Sequence, residues 1–126
     1  MSATGLLAVG VGAALGAWLR WALAQRWNPM FEQVPIGTLT ANVSGGFLVG
    51  VAVEWLGRHA ELPPEVRLFV ITGFLGGLTT FSTFSAETVA LIERAQYGWV
   101  GVLIALHVLG SIAATIAGMA CVRAVS

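Results

Sequence analysis

The sequence predicts an all-α membrane protein, a single domain over residues 1–126 made of four transmembrane helices with a break in the third. Composition is the first reason: 57% of residues are hydrophobic and 10% charged, whereas soluble domains carry roughly 25% charged residues. That excludes both an ordinary water-soluble fold and a disordered chain. Charge placement is the second reason. The charged residues are all Arg or Glu, and they leave uncharged stretches at 1–19, 33–53, 68–86 and 95–122. Each can cross a bilayer, because a helix rising 1.5 Å per residue needs about 20 apolar residues for a hydrocarbon core about 30 Å thick. The third reason is the pair Gly76-Gly77 inside the third stretch, where a helix without side chains can unwind.

Helix 1 is expected over about Gly5 to Gln25. Met1 to Leu19 holds no basic residue, so it lacks the n-region of a secretory signal and is expected to be retained. A polar turn with Asn28, Pro29 and Pro35 leads to helix 2, about Ile36 to Leu56. Helix 3 starts after Leu62-Pro63-Pro64, and helix 4 follows Tyr97-Gly98 and ends near Arg123. Trp21, Trp27, Trp55, Trp99 and Tyr97 all fall near helix ends, where an aromatic belt belongs. The longest connection, about Arg58 to Glu65, is short by loop norms, so no room remains for a soluble catalytic domain and no enzyme is expected. Small residues four apart, Gly12/Gly16, Gly46/Gly50, Gly73/Gly77 and Ala113/Ala117, let helices approach closely. Cys121 stands alone in an apolar run and reads as packing.

Four crossings put Arg58, Arg67 and Arg123 on one side and Arg20, Arg26 and Arg94 on the other. Orientation follows the Lys/Arg excess of short loops, and three against three gives none. The balance predicts dual topology, with copies inserted both ways up and paired as an antiparallel homodimer. Were Arg20 to lie below the interface, the count would become three to two.

The third stretch concentrates the chemistry. From Gly73 to Glu87 it gathers glycines, hydroxyls, three phenylalanines and a carboxylate. An unwound turn at Gly76-Gly77 would free carbonyls that could converge on a cation from two chains; the alternative is a simple packing pair of glycines. Beyond it, Phe81 and Phe84 share a helix face, and Thr80, Thr83 and Glu87 an adjoining one. A ring has a positive edge, so two phenylalanines among the hydroxyls of Ser82, Thr83 and Ser85 can solvate a small anion without a fixed positive charge that would hold it too tightly. Glu87 costs at least about 2.5 kcal/mol at membrane depth, which points to water, a donor or a proton beside it. Helix 2 adds Thr38, Thr40, Asn42 and Ser44. The two amide donors of Asn42 could complete an anion shell, or serve as helix-helix glue. Arg20 either snorkels to the interface or draws anions to a pore mouth. His107 and Ser111 share a face of helix 4 with no second ligand at metal spacing, so a packed neutral histidine is the simpler reading. Glu54, four residues before Arg58, is placed to form an interfacial pair, and His59 reads as a loop residue.

These residues resemble the fluoride-specific ion channel family, called Fluc or CrcB, over essentially the whole chain. The resemblance rests on Gly12 to Arg20 (GAALGAWLR), Gly37 to Gly46 (GTLTANVSGG) and Thr72 to Glu87. It implies an antiparallel dimer with two fluoride pores and passive export of cytoplasmic fluoride. It implies Phe81 and Phe84 as ring-edge contacts, Asn42 as a pore-lining donor, Ser82 and Thr83 as a polar track to Glu87, and Arg20 near a vestibule. Helix 4 contributes a pore-facing residue of variable type in that family, and Leu103, His107 and Ser111 lie at its level. A structural sodium ion at the dimer interface would be held by the backbone carbonyls of Gly76 and Thr79. The expected setting is multi-pass in a bacterial inner membrane, among lipid. The residues themselves leave two other readings open: a proton-coupled exporter of the tiny dual-topology type, with Glu87 exchanging protons, and an assembly subunit with glycine seams.

Overall fold

The computed structural model describes all residues, Met1–Ser126. Helix α1 covers Ala3–Trp27, a short 3-10 turn follows at Asn28–Met30, and α2 covers Ile36–Gly57. The third span has two parts. Its first, α3, is α-helical over Pro64–Arg67, π-helical over Leu68–Leu75 and α-helical again over Gly76–Leu78. Its second, α4, is Phe81–Glu93, and α5 is Tyr97–Val125. Four runs, Ala3–Met30, Ile36–Gly57, Pro64–Glu93 and Tyr97–Val125, are each long and apolar enough to cross a membrane. Only 21 of 126 residues are buried, so the outer faces of the bundle present Leu, Ile, Val and Trp to surroundings that must themselves be apolar.

The helix ends follow from local chemistry. Ser2 caps α1 by accepting from the Gly5 N–H at 3.0 Å. Pro35 precedes α2 and has no side chain able to cap it; Asn28 does so from the preceding turn, its Oδ1 accepting from the Thr38 N–H at 2.9 Å. After α4, Ala95 takes φ 56°, while the N–H groups of Ala95 and Gln96 donate to Ile92 and Leu91, the pattern of a left-handed helix stop. Side chains tie the ends in the order that four alternating crossings require. Glu54 accepts from Arg58 at 3.0 Å and Arg123 at 2.9 Å, and Glu65 accepts from Thr4 at 3.0 Å. At the opposite end Arg94 pairs with Glu32 at 3.2 Å.

Two glycine seams hold the bundle together. In the first, Gly12 and Gly16 of α1 face Gly73 and Gly77 of α3: a Cβ on Gly73 would stand 3.1 Å from the Gly12 Cα, and one on Gly77 3.0 Å from the Ala13 Cα. In the second, Gly46 and Gly50 of α2 lie against Ser111, Thr115 and Met119 of α5. The α5 side of that seam departs from expectation. Ala113 and Ala117 point outward, and the close approach is made by Gly118, whose added Cβ would stand 3.0 Å from the Val51 N. The two alanines have the spacing of a small-residue pair, but the helix is rotated so that they face outward and the neighbouring glycine meets α2.

Gly76-Gly77, expected to unwind, is helical; the extended residues are Thr79 (φ −89°, ψ 153°) and Thr80 (φ −149°, ψ 116°). Gly77 is needed where it is for contact with Ala13 rather than for backbone freedom. The interruption falls two residues later, where a side chain from α2 captures the backbone.

Candidate functional site

The site is built where Asn42 of α2 meets Thr80. The Thr79 N–H and hydroxyl still close on the Leu75 carbonyl, at 3.0 and 2.8 Å. The Thr80 N–H, which would reach Gly76 in an unbroken helix, donates instead to Asn42 Oδ1 at 2.7 Å, and Asn42 Nδ2 donates back to the Thr80 carbonyl at 3.0 Å. A side-chain amide thus pairs with an extended peptide as a neighbouring strand would. Thr80 then caps α4, its Oγ1 accepting from the Thr83 N–H at 3.1 Å.

This diversion leaves carbonyls behind. Gly76 loses the Thr80 N–H to Asn42, and Thr79 loses the Thr83 N–H to the Thr80 hydroxyl. The Gly77 carbonyl is taken by Arg20, whose Nε donates at 3.0 Å. Arg20 therefore does not simply snorkel outward: it binds the last turn of α3, satisfying an acceptor that the interruption would orphan.

The Thr80 peptide fixes which way the Asn42 amide faces, since its N–H needs the oxygen and its carbonyl needs the nitrogen. The second hydrogen of Nδ2 then points to His107 Nδ1, 3.0 Å away, which must accept it. The ring proton accordingly belongs on Nε2, a buried atom without a partner. His107 is 4% exposed and stacks on Phe84, centroids 4.6 Å apart at 28°. Phe84 in turn meets Phe81 edge to face, 5.4 Å apart at 70°. The two rings differ sharply in setting: Phe84 is 7% exposed and Phe81 75%.

Of the two roles the sequence allows Asn42, the contacts made in this structure are those of interhelical glue. Both of its amide hydrogens are engaged within the protein, so it shapes the site by fixing Thr80 and His107 rather than by offering free donors. Asn42, Thr80, Phe81, Phe84, His107 and Ser111 border one cavity of about 460 Å³, reached also by Gly76 and Thr79, with no Arg or Glu in its wall. Leu103 is fully buried against Phe84 and Leu91. Thr38, Ser82, Thr83, Glu87 and Arg20 lie outside the cavity wall. Thr80, Ser82 and Thr83 form a hydroxyl cluster, with Thr80 Oγ1 3.2 Å from Ser82 Oγ and 3.1 Å from Thr83 Oγ1. Glu87 belongs to a separate group: Thr38 Oγ1 donates to its Oε2 at 2.7 Å, while Asn28 Nδ2 donates to Thr38 Oγ1 at 3.2 Å.

The sequence places Asn28 only in a polar turn, without its capping role, and gives no sign of the π-helical winding of Leu68–Leu75. Asn28 had a visible signal: a helix beginning after Pro35 must find its cap elsewhere. The π-helix had none.

Comparison with known proteins adds a consistent result. The family described as CrcB-like protein, Camphor Resistance (CrcB) matches residues 7–119. The protein named fluoride-specific ion channel FluC of Nitrosospira multiformis is 58% identical over 118 residues, covering 94% of this chain and 92% of its own. Proteins of the same name from Ralstonia pickettii and Pseudomonas syringae pv. maculicola are 59% identical, with all of both chains covered, and 54% identical, with 90% of each covered.

Proposed function

This chain belongs to the CrcB family, and from that premise we propose that it is a fluoride-selective ion channel giving passive export of cytoplasmic fluoride down its electrochemical gradient. The observation that carries the reading is an uncharged cavity wall where Phe81 and Phe84 meet beside a buried imidazole with an unpartnered nitrogen. Ring edges are positive, and stacking on His107 occupies a face of Phe84, leaving its rim for an anion. The start of α4 adds backbone N–H groups without intrahelical acceptors and the favourable end of a helix dipole. Neutral donors replace hydration without trapping the ion, as conduction requires. Fluoride suits such a site as a small, strong hydrogen-bond acceptor. It accumulates because hydrogen fluoride crosses membranes uncharged and dissociates in a more alkaline cytoplasm.

In this reading Phe81, Phe84, His107, Ser111 and the Asn42-fixed Thr80 peptide line the path. Ser82, Thr83, Thr38 and Glu87 form the polar track beyond it, and Arg20 stands behind the interruption near a vestibule. Two copies assemble antiparallel in a bacterial inner membrane. The exposure of Phe81, with exposed Gly76 beside the same cavity, supports a partner at that face. With Arg20 committed to Gly77, the remaining arginines divide three to two, near the balance that dual topology needs. The chemistry at the interruption fits a structural sodium ion. The carbonyls of Gly76 and Thr79, deprived of backbone donors, are hard neutral oxygen ligands. Such an ion would supply positive charge that draws the orphaned carbonyls of both copies together.

The test is fluoride efflux from vesicles holding only this protein, followed with a fluoride electrode. Fast efflux independent of a proton gradient is expected, and Phe84→Ile should slow it by up to about tenfold, the rate equivalent of losing one aromatic contact. Efflux that requires a proton gradient would instead favour a proton-coupled exporter, which the names of the relatives do not. Intact vesicles that keep their fluoride would end the channel reading.

A further inference from the structure

We propose that Asn28, outside the conduction path, is a positioning residue that sets the direction of the Thr38 hydroxyl and through it holds the Glu87 carboxylate against α2. The inference rests on the channel reading above and extends it to a residue in the turn between α1 and α2. Two jobs meet at this side chain. Its oxygen accepts the Thr38 N–H at 2.9 Å, supplying the cap that Pro35 cannot. Its Nδ2 donates to Thr38 Oγ1 at 3.2 Å. The first job fixes the amide orientation, and so dictates the second.

Thr38 is 2% exposed, so its single hydroxyl proton must go to one of its protein neighbours. The Asn28 oxygen lies at 3.5 Å and is already occupied by a backbone N–H, whereas Glu87 Oε2 lies at 2.7 Å. With the Asn28 N–H filling a lone pair of Oγ1, the hydroxyl proton points to Glu87. The chain of donors therefore runs one way, from Asn28 to Thr38 to Glu87. Glu87 has no other anchor: its Oε1 is buried without a partner. A carboxylate next to an anion route repels the ion wherever it swings toward it, so the hydroxyl that keeps it on α2 controls passage. Asn28 governs that hydroxyl from behind the polar track, through its bonds to Thr38 alone.

Asn28→Asp separates capping from positioning. Aspartate caps as well as asparagine, but it has no N–H for Oγ1 and offers a second acceptor, so the Thr38 proton turns away from Glu87. The full-length protein in vesicles is assayed for fluoride efflux as wild type, N28D, Thr38→Val, Thr38→Ser and the N28D/Thr38→Val pair. N28D should melt like wild type yet conduct several-fold more slowly, close to Thr38→Val, while Thr38→Ser, which retains the hydroxyl, should conduct faster than Thr38→Val. In the Thr38→Val background N28D should add nothing. Wild-type flux in N28D overturns the proposal, as does a loss that is equally large without the hydroxyl, since that is the effect of added charge alone. Should N28D not assemble, Asn28→Ala takes its place in the same cycle, with additive losses counting against positioning. A wild-type protein that passes no fluoride sinks the channel reading itself, and is thereby told apart from failure of the relay.

Discussion

The seam between α1 and α3 and the junction of α3 with α4 lie only a few residues apart, yet they solve opposite problems. At the seam, Gly12, Gly16, Gly73 and Gly77 remove side chains so that two backbones touch while each keeps its own hydrogen-bond ladder. At Thr79–Thr80 the ladder is given up, and side chains from other helices replace what it supplied: Asn42 for the Thr80 N–H, Arg20 for the Gly77 carbonyl. In an apolar solvent both devices are needed. Close packing gives rigidity where no hydrophobic force pulls helices together, and irregular backbone is tolerated only where its polar groups find partners inside the protein. The seam is a matter of volume; the junction is a matter of pairing.

The largest effect should come from adding volume to the seam. A side chain at Gly16 would begin 2.7 Å from the Leu78 N and 3.0 Å from the Phe74 carbonyl carbon, backbone atoms that cannot step aside. Gly16→Val should therefore cost at least about 3 kcal/mol, the upper range for an overpacked core, and yield little monodisperse protein in detergent. Gly10 has open space around it, so Gly10→Val is the matched control. If both variants purify and melt alike, the seam is not what holds α1 to α3.

A middle-sized effect is expected at the junction, of a different kind. Asn42→Ala adds no atoms but strips the Thr80 N–H and His107 Nδ1 of their partners. Leaving a buried polar group unsatisfied costs about 1–3 kcal/mol. The variant should fold, melt lower than wild type and conduct fluoride slowly, because the Thr80 peptide and the His107 ring are no longer fixed. Unchanged melting together with unchanged flux would mean that Asn42 does not organise the interruption.

This division also explains what could be read from the sequence. The spans were legible because bilayer thickness sets a length and charge avoidance marks it, and the observed helices start and stop near Pro, Gly and charged residues as expected. Seam glycines were legible as spacing, but rotation about a helix axis was not, which is why Ala113 and Ala117 were read as contacts and Gly118 was missed. At the site, residue types announced the chemistry: hydroxyls, rings and a carboxylate in a short stretch of the third span, and an amide on α2. Partners did not announce themselves. Whether Asn42 offers free donors or spends them depends on where Thr80 lies in space, 38 positions on, and no local pattern encodes that. The interruption was placed on the glycines because permissive backbone is visible in sequence, whereas the amide that captures Thr80 is a tertiary fact.

The smallest expected effect sharpens the contrast by placing a polar contact inside a seam. Thr115 Oγ1 donates to the Gly46 carbonyl at 2.8 Å and lies 3.0 Å from the Ser111 carbonyl, so it resembles the Asn42 contact in distance and burial. It differs in what it leaves behind. Gly46 and Ser111 are interior residues of α2 and α5, and their carbonyls keep helical N–H donors when the hydroxyl is gone. Thr115→Val preserves the branched shape at the close approach to Gly46 and should cost only about 0.6 kcal/mol, the average for a hydrogen bond between membrane helices. Reversible unfolding in detergent measures this directly against Asn42→Ala. Equal losses would show that any interhelical hydrogen bond matters as much as one that replaces a missing backbone partner, and the distinction between seam and junction would fall. A loss several times smaller at Thr115 ties the junction's sensitivity to the orphaned Thr80 peptide.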